Sequence, residues 1–175
     1  DSEEGADKAS KELALTEIDG EEQPVDKVLV VYVPNVHEGV AGIIAGRLKE
    51  RYYRPTIVFT DTESNPEILK GSGRSIENYN MFEKINEHRD MTVKFGGHPL
   101  AAGLSIKKSD LEAFRKALND DCGLEYRDLV PKLMIDAPMP MSYASMKLAN
   151  WGTTMFASRR SLDHLYTHSS VTKPW

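Results

Sequence analysis

An uninterrupted apolar run over residues 28–33 constrains the fold of this chain more than any other feature. The run contains four valines and no charged residue. Such a run is typical of a strand that is covered on both faces, as parallel strands usually are. Pro34 ends it, and residues 38–53 then place apolar side chains at helical spacing. A second β-branched run over 56–60 follows, so the sequence predicts a β-α-β unit with a right-handed crossover.

Helical and extended patterns continue to alternate beyond this unit. We expect short strands over 68–70, 93–95, 103–106 and 133–136, a helix over 80–88, one helical turn over 99–102, and a helix opened by a capping box between Ser109 and Glu112. The alternation predicts an α/β fold in which a small mixed or parallel sheet is flanked by helices, with irregular N- and C-terminal tails.

The chain divides into three stretches of different composition. Residues 1–25 are acidic and poor in large apolar residues, so we expect disorder or a helix remnant there. Residues 26–148 carry the patterns of a folded domain. Residues 149–175 are rich in Ser and Thr, and we expect a disordered tail. The net charge of −5 is uneven, because residues 1–26 carry −8 and the remainder carries +3. A phosphate-rich partner is therefore compatible with the body of the chain.

The cellular location of the protein can be predicted from the features that its sequence lacks. Cys122 is the single cysteine, which excludes an internal disulfide and fits a reducing cytoplasm. No apolar run of about 18 residues is present and the acidic start does not resemble a signal peptide, so we expect a soluble cytoplasmic protein without a membrane partner. Because the chain begins with Asp1, we expect a processed chain or part of a longer one.

Two glycine-rich segments, 71–75 and 96–98, are the candidate binding elements. The first is Gly-Ser-Gly-Arg-Ser and the second is Gly-Gly-His, and each follows a predicted strand. Glycine lets main-chain N–H groups approach an anion, and the planar guanidinium of Arg74 can contact two phosphate oxygens. Either segment could instead be an ordinary turn. If both bind phosphate, Arg74 and His98 must lie on the same side of the molecule.

Other polar residues are less informative. His37 lies between a predicted strand and helix, where it could join the phosphate site or simply cap the helix. His164 and His168 have the spacing of zinc ligands on a helix but lack the accompanying Glu. The sequence contains no phosphate-binding Walker loop and no serine nucleophile elbow. We therefore expect no bound metal or cofactor and no hydrolytic activity from this chain alone.

Four segments together resemble a known family. They cover residues 37–43, 51–55, 69–75 and 95–103, in the family's order. In these segments the chain is similar to the DHH-associated domain of the bacterial single-stranded-DNA-specific exonucleases of the RecJ family. The resemblance extends over about residues 26–148.

The resemblance implies functions that composition and spacing do not. In that family a separate DHH domain binds Mn²⁺ or Mg²⁺, and the associated domain holds the DNA strand for 5′-to-3′ digestion in DNA repair and recombination. The implied partners are single-stranded DNA and that catalytic domain. His98 is a candidate stabiliser of the transition state, and the resemblance implies no other catalytic residue in this chain. The implied nucleic-acid-binding residues are His37, Ser72, Arg74, Ser75, Gly96, Gly97 and His98.

The sequence departs from the family pattern at both ends. No Asp-His-His motif precedes residue 26, and nothing after Asn150 resembles the family, which suggests a truncated or frameshifted reading frame. Two alternatives stay open. The chain could come from an oligoribonuclease or cyclic-dinucleotide phosphodiesterase of the DHH superfamily, or it could be a non-enzymatic module that binds a protein.

Overall fold

Helices and strands alternate through most of the described chain. The computed structural model describes residues 2–13, 15–18, 21–62 and 65–132. The helices are α1 (Ser2–Lys11), α2 (Glu38–Tyr52), α3 (Met81–Glu87) and α4 (Leu111–Asp120). The strands are β1 (Leu15–Ile18), β2 (Glu21–Pro24), β3 (Leu29–Tyr32), β4 (Thr56–Asp61), β5 (Ile68–Arg74), β6 (Thr92–His98) and β7 (Ala101–Lys107). The chain divides into two units, Asp1–Pro131 and Lys132–Trp175.

Five of the strands form one mixed sheet in the order β3-β4-β5-β7-β6. β3 and β4 are parallel, whereas every other neighbouring pair is antiparallel. β1 and β2 form a separate antiparallel hairpin. The predicted fold class, a small mixed sheet flanked by helices, is therefore confirmed.

The predicted β-α-β unit is formed by β3, α2 and β4. Leu29 and Val31 of β3 and Val58 of β4 are buried beneath α2, which contributes Ile44 and Leu48 to the same apolar cluster. The unit is stable in this arrangement because each strand buries one apolar face against the helix and the other against the rest of the core.

The other side of the sheet is covered by α3 and α4. Phe59 packs edge-to-face on Phe114 of α4, with ring centroids 6.1 Å apart. Met81 and Ile85 of α3 and Ile106 of β7 are fully buried in the same cluster. Both faces of β4 are therefore covered, which explains why residues 56–60 are continuously apolar or β-branched.

Two predicted elements are wrong. Residues 99–102 do not form a helical turn, because β6 and β7 are joined there by a tight hairpin whose Pro99 and Leu100 carbonyls accept hydrogen bonds from Met81 N and Ser75 N. The capping box at Ser109 is also absent. The chain enters α4 through a 3-10 turn, Lys108–Asp110, and the Ser109 hydroxyl donates to Asp110 instead.

The N-terminal segment contains the helix α1, which packs on α2. Ala6 and Ala9 are buried there, and Arg47 and Arg51 of α2 pair with Glu3 and Asp7. The buried alanines hold the helix against α2, and the exposed ion pairs add a small favourable contribution at its rim. The strand predicted at 133–136 and the tail predicted at 149–175 lie outside the described residues.

The sheet leaves one region uncovered on the side that carries α2. Helix α2 packs on β4 and β5, and exposed residues of β6 and β7 lie beyond it. We call the α2 side of β5, β7 and β6 the open face, because the helix covers β5 in part and leaves β7 and β6 uncovered. Within the described ranges, no helix has both the length and the apolar character needed to cross a membrane.

Candidate nucleic-acid interface

The open face is a regular grid of small, polar and basic residues. Residues that are paired in register on neighbouring strands point to the same side of a sheet, and so do residues two apart on one strand. The three rows that run across β5, β7 and β6 are Lys70-Ser105-Lys94, Ser72-Gly103-Gly96 and Arg74-Ala101-His98. The grid contains four basic or imidazole side chains and no carboxylate.

Arg74 and His98 lie in the same row of this grid. Ala101 is paired with both residues, so two strand spacings, about 10 Å, separate their backbones. The two glycine-rich segments thus carry their polar side chains on one side of the sheet.

The guanidinium of Arg74 is held beside α2. Its Nη1 donates to Gly73 O at 2.8 Å and to the Ser72 hydroxyl at 3.4 Å. A Cβ at Gly42 of α2 would lie 2.9 Å from both Arg74 Nη2 and Ser72 Oγ, so any larger residue there would displace these two side chains from their present positions. Nε and Nη2 of Arg74 have no acceptor in the described part of the chain, which leaves donors for an anion.

His98 and His37 share a local hydrogen-bond pattern. Nδ1 of His98 accepts from Leu100 N at 3.3 Å, and Nδ1 of His37 accepts from Gly39 N at 3.1 Å. Each neutral ring therefore carries its proton on Nε2, an assignment that follows from the hydrogen bond. Both rings are exposed. His98 presents this donor on the open face, whereas His37 acts as the N-cap of α2.

The groove beside α2 runs along the first two rows of the grid. It has a volume of 410 Å³, and its walls include Glu38 and Ala41 of α2, Ser72, Lys94 and Gly103. His37 adjoins Glu38 but does not line the groove. The structure thus brings Ser72, Gly96, Arg74 and His98 to one surface and leaves His37 at its border.

One carboxylate borders the groove, and its charge is compensated. Glu38 accepts a hydrogen bond from Lys70 Nζ at 2.7 Å, and this contact is the main reason that the pKa of Glu38 is lowered. Lys70 is therefore partly neutralised. Lys94 in the groove and Arg74 in the neighbouring row form no ion pair with any described residue, so these two cations give the open face its positive character.

Ser75 is not part of the open face. Its side chain is buried, its hydroxyl donates to Tyr79 O at 2.6 Å, and its N–H donates to Leu100 O. Ser75 therefore joins the end of β5 to the β6–β7 hairpin and to the chain before α3. We infer a structural role for it in place of the phosphate contact expected from the sequence.

The glycines do not form the anion-binding loops expected from the sequence. Gly71 and Gly73 lie within β5, where a Cβ would come within 2.5 Å of the Phe59 ring and 2.3 Å of Met81 Sδ. Gly96 and Gly97 lie within β6, so their N–H groups are directed in the plane of the sheet. Gly96 instead keeps the open face bare, since a Cβ at this position would meet nothing within 4 Å.

Lys94, Gly103 and Ser105 were missed as candidates by sequence reasoning. The signal was available, because residues 92–98 and 101–107, except for Gly97, alternate between small or polar residues and apolar ones. With period 2 counted backwards from His98, Lys94 falls on the side of Gly96. The predicted helical turn at 99–102 hid this alternation.

Metal binding needs several ligands that converge on one ion. Among the described residues, no three His, Cys, Asp or Glu side chains lie together in this way. The described residues therefore do not fit the divalent metal that the resemblance implies. We derive no metal-dependent step from them.

Comparisons with known proteins agree with the fold described above. The family model of the DHHA1 domain matches residues 26–123. The single-stranded-DNA-specific exonuclease RecJ of Bacillus subtilis is 41% identical over 119 residues, which make up 66% of this chain and 15% of that protein. Two crystal structures of RecJ from Thermus thermophilus are each 27% identical to this chain and cover 68% of it. The complex with Mg²⁺ has a TM-score of 0.53 over 17% of its own chain, and the complex with Mn²⁺ has a TM-score of 0.54 over 16%. The chain thus spans about a sixth of these relatives.

Proposed function

Because this chain belongs to the DHHA1 domain family, we propose that its open face binds the sugar-phosphate backbone of single-stranded DNA without regard to sequence. The single observation that carries the proposal is the common row of Arg74 and His98 beside the unpaired Lys94. Guanidinium, ammonium and imidazole N–H groups are donors suited to phosphate oxygens. Phosphate contacts position a strand but carry no sequence information.

We further propose that the strand lies across β6 and β7, above the bare backbone of Gly96 and Gly103. A Cβ at either glycine would meet nothing within 4 Å, so the absence of side chains leaves room for a ribbon of backbone. Arg74 and Ser72 would border the strand on the α2 side, and His98 and Lys94 on the β6 side. The identity of the relatives, named as single-stranded-DNA exonucleases, supports this choice of ligand.

Hydrolysis in this proposal is the task of a separate DHH domain that binds the metal. The role of the open face is to hold the strand beside the scissile bond, where Arg74 and His98 stabilise charge that develops on the phosphate. Neither residue acts as a base. This division of tasks makes the chain a binding domain that lacks nuclease activity by itself.

The experiment is a salt titration of DNA binding by Arg74→Ala and the unchanged chain. For single strands the logarithm of the binding constant falls with the logarithm of the salt concentration, with a slope of about −0.7 for each phosphate neutralised. We expect fluorescence anisotropy to show weaker binding of every oligonucleotide sequence by Arg74→Ala, with a salt slope smaller by about 0.7.

Arg127→Ala is the matched control, because Arg127 is 80% exposed and pairs with Glu125 in a 3-10 turn away from the groove. We expect its affinity and salt slope to equal those of the unchanged chain. If the affinity did not depend on salt, or if Arg74→Ala weakened the binding of particular sequences only, the open face would not bind DNA through its phosphates.

A further inference from the structure

A second depression, which the proposed function does not use, lies between α3 and the outer side of β6. We call it the edge pocket. It has a volume of 290 Å³ and is lined by residues that include Phe82, Arg89 and Phe95. The two phenylalanine rings have centroids 5.5 Å apart at an interplanar angle of 42°, and the guanidinium of Arg89 lies 5.7 Å from the Phe95 centroid. Phe82 is 38% exposed although one side of its ring packs on Phe95.

The edge pocket is continuous with the groove on the open face. Lys94 and Phe95 line both depressions. Their side chains point to opposite sides of the sheet, so the two depressions meet at β6 from its two faces. β6 is the last strand of the sheet, so no further strand of the described residues flanks it on its outer edge. A flexible polymer that lies on the open face can therefore reach the edge pocket around β6.

The charge of the edge pocket indicates what kind of polymer fits. Its lining contains the cations Lys94 and Arg89 and no carboxylate. Neither cation forms an ion pair with another described residue. Exposed aromatic rings beside unpaired cations are the combination with which proteins bind single strands, since every base offers a π-face for stacking and each phosphate a negative charge.

We propose that the edge pocket stacks one unpaired base of the DNA strand whose phosphates lie on the open face. This inference rests on the proposed function and adds a base contact to it. Phe82 supplies the exposed ring, Phe95 supports that ring from β6, and Arg89 lies over Phe95 on the same side. Stacking of this kind tolerates every base, so it preserves binding that is independent of sequence.

The experiment compares two labelled strands of equal length and equal phosphate number, oligothymidylate and an abasic tetrahydrofuran strand. We expect the full chain to bind oligothymidylate more tightly. Phe82→Leu should weaken oligothymidylate binding about five-fold or more and leave the abasic strand unaffected. Phe82→Tyr should retain the preference, because its ring still stacks. Arg74→Ala should weaken both strands equally.

Tyr126→Leu is the matched control, since Tyr126 is also an exposed ring but lines neither depression. Circular dichroism verifies that each variant is folded. Equal affinity of the unchanged chain for the two strands, or equal losses in Phe82→Leu, would overturn the stacking site and leave the phosphate surface standing. Failure to bind either strand would overturn the proposed function itself, and self-association that depends on Phe82 would assign the edge pocket to a second copy of the chain.

Discussion

Neighbouring glycines in β6 serve opposite purposes at the scale of single residues. A Cβ at Gly97 would lie 2.4 Å from Ala101 O and 2.6 Å from Ala102 Cα, and its φ is +154°. Glycine is thus required there for β6 to pair with β7. Gly96 has open space above it, so its lack of a side chain matters to a ligand and not to the fold.

This difference predicts contrasting stabilities for two alanine variants. Gly97→Ala should lower the free energy of unfolding by about 1–3 kcal/mol, because backbone atoms of β7 would have to move. Gly96→Ala should change it by no more than about 0.5 kcal/mol, as exposed substitutions usually do. Urea denaturation followed by circular dichroism measures both. Equal effects of the two substitutions would contradict the assigned roles.

The same residues show where sequence reasoning reaches its limit. It predicted that residues 71–75 and 96–98 form the binding site, and it expected Arg74 and His98 on one side of the molecule, where the structure places them. Their part in binding stays a prediction. It could not distinguish glycines that make room for Phe59 and Met81 from a glycine that leaves a surface bare, because that difference depends on neighbours distant in sequence. The buried position of Ser75 was missed for the same reason, since its hydrogen-bond partner is set by the turn that follows β5.

At the scale of elements, one carboxylate joins the ends of β3 and β4 to the loop before α2. Asp61 accepts a hydrogen bond from the Tyr32 hydroxyl at 2.6 Å and from Asn35 N at 3.4 Å, and Lys108 lies 3.5 Å away. The Tyr32 contact is the main cause that lowers the pKa of Asp61 below its ordinary value of 3.8. The ammonium of Lys108 also lies 4.8 Å from the Tyr32 ring centroid.

These contacts predict how stability changes with pH. A carboxylate whose pKa is lower in the folded state stabilises that state above its unfolded pKa, and the contribution is lost as the pH falls through the folded pKa. The stability difference between the unchanged chain and Asp61→Asn should therefore stay constant between about pH 7 and 5 and shrink below about pH 4. Urea midpoints across this range measure it. A difference that grows toward acid pH would contradict this assignment.

Elements with strong local patterns were predictable, and those defined by distant pairing were not. The valine run and the helical spacing after it identified β3, α2 and β4, because both strands are buried on two faces. The hairpin of β6 and β7 was misread, since Pro99 is compatible with either a helix start or a tight turn. The turn is stabilised by hydrogen bonds that Met81 N and Ser75 N donate to its carbonyl groups.

At the scale of the whole molecule, charge and exposure are distributed in a way that suits one extended ligand. The acidic α1 packs against the basic side of α2, where Glu3 and Asp7 pair with Arg47 and Arg51. The open face and the edge pocket, by contrast, keep Arg74, Lys94 and Arg89 unpaired among the described residues. A polyanion is therefore directed to one edge of the sheet.

The measurement that tests the central proposal most directly is a map of amide chemical-shift changes on the ¹⁵N-labelled chain during titration with a single-stranded oligonucleotide. We predict that the largest changes fall on β5, β7 and β6, at Lys94, Gly96, His98, Gly103 and the Arg74 side chain. The amides of α1 should stay unchanged. If chemical-shift changes were confined to α1 and the outer side of α2 and the amides of the open face did not shift, the assignment of the open face as the DNA-binding surface would be contradicted.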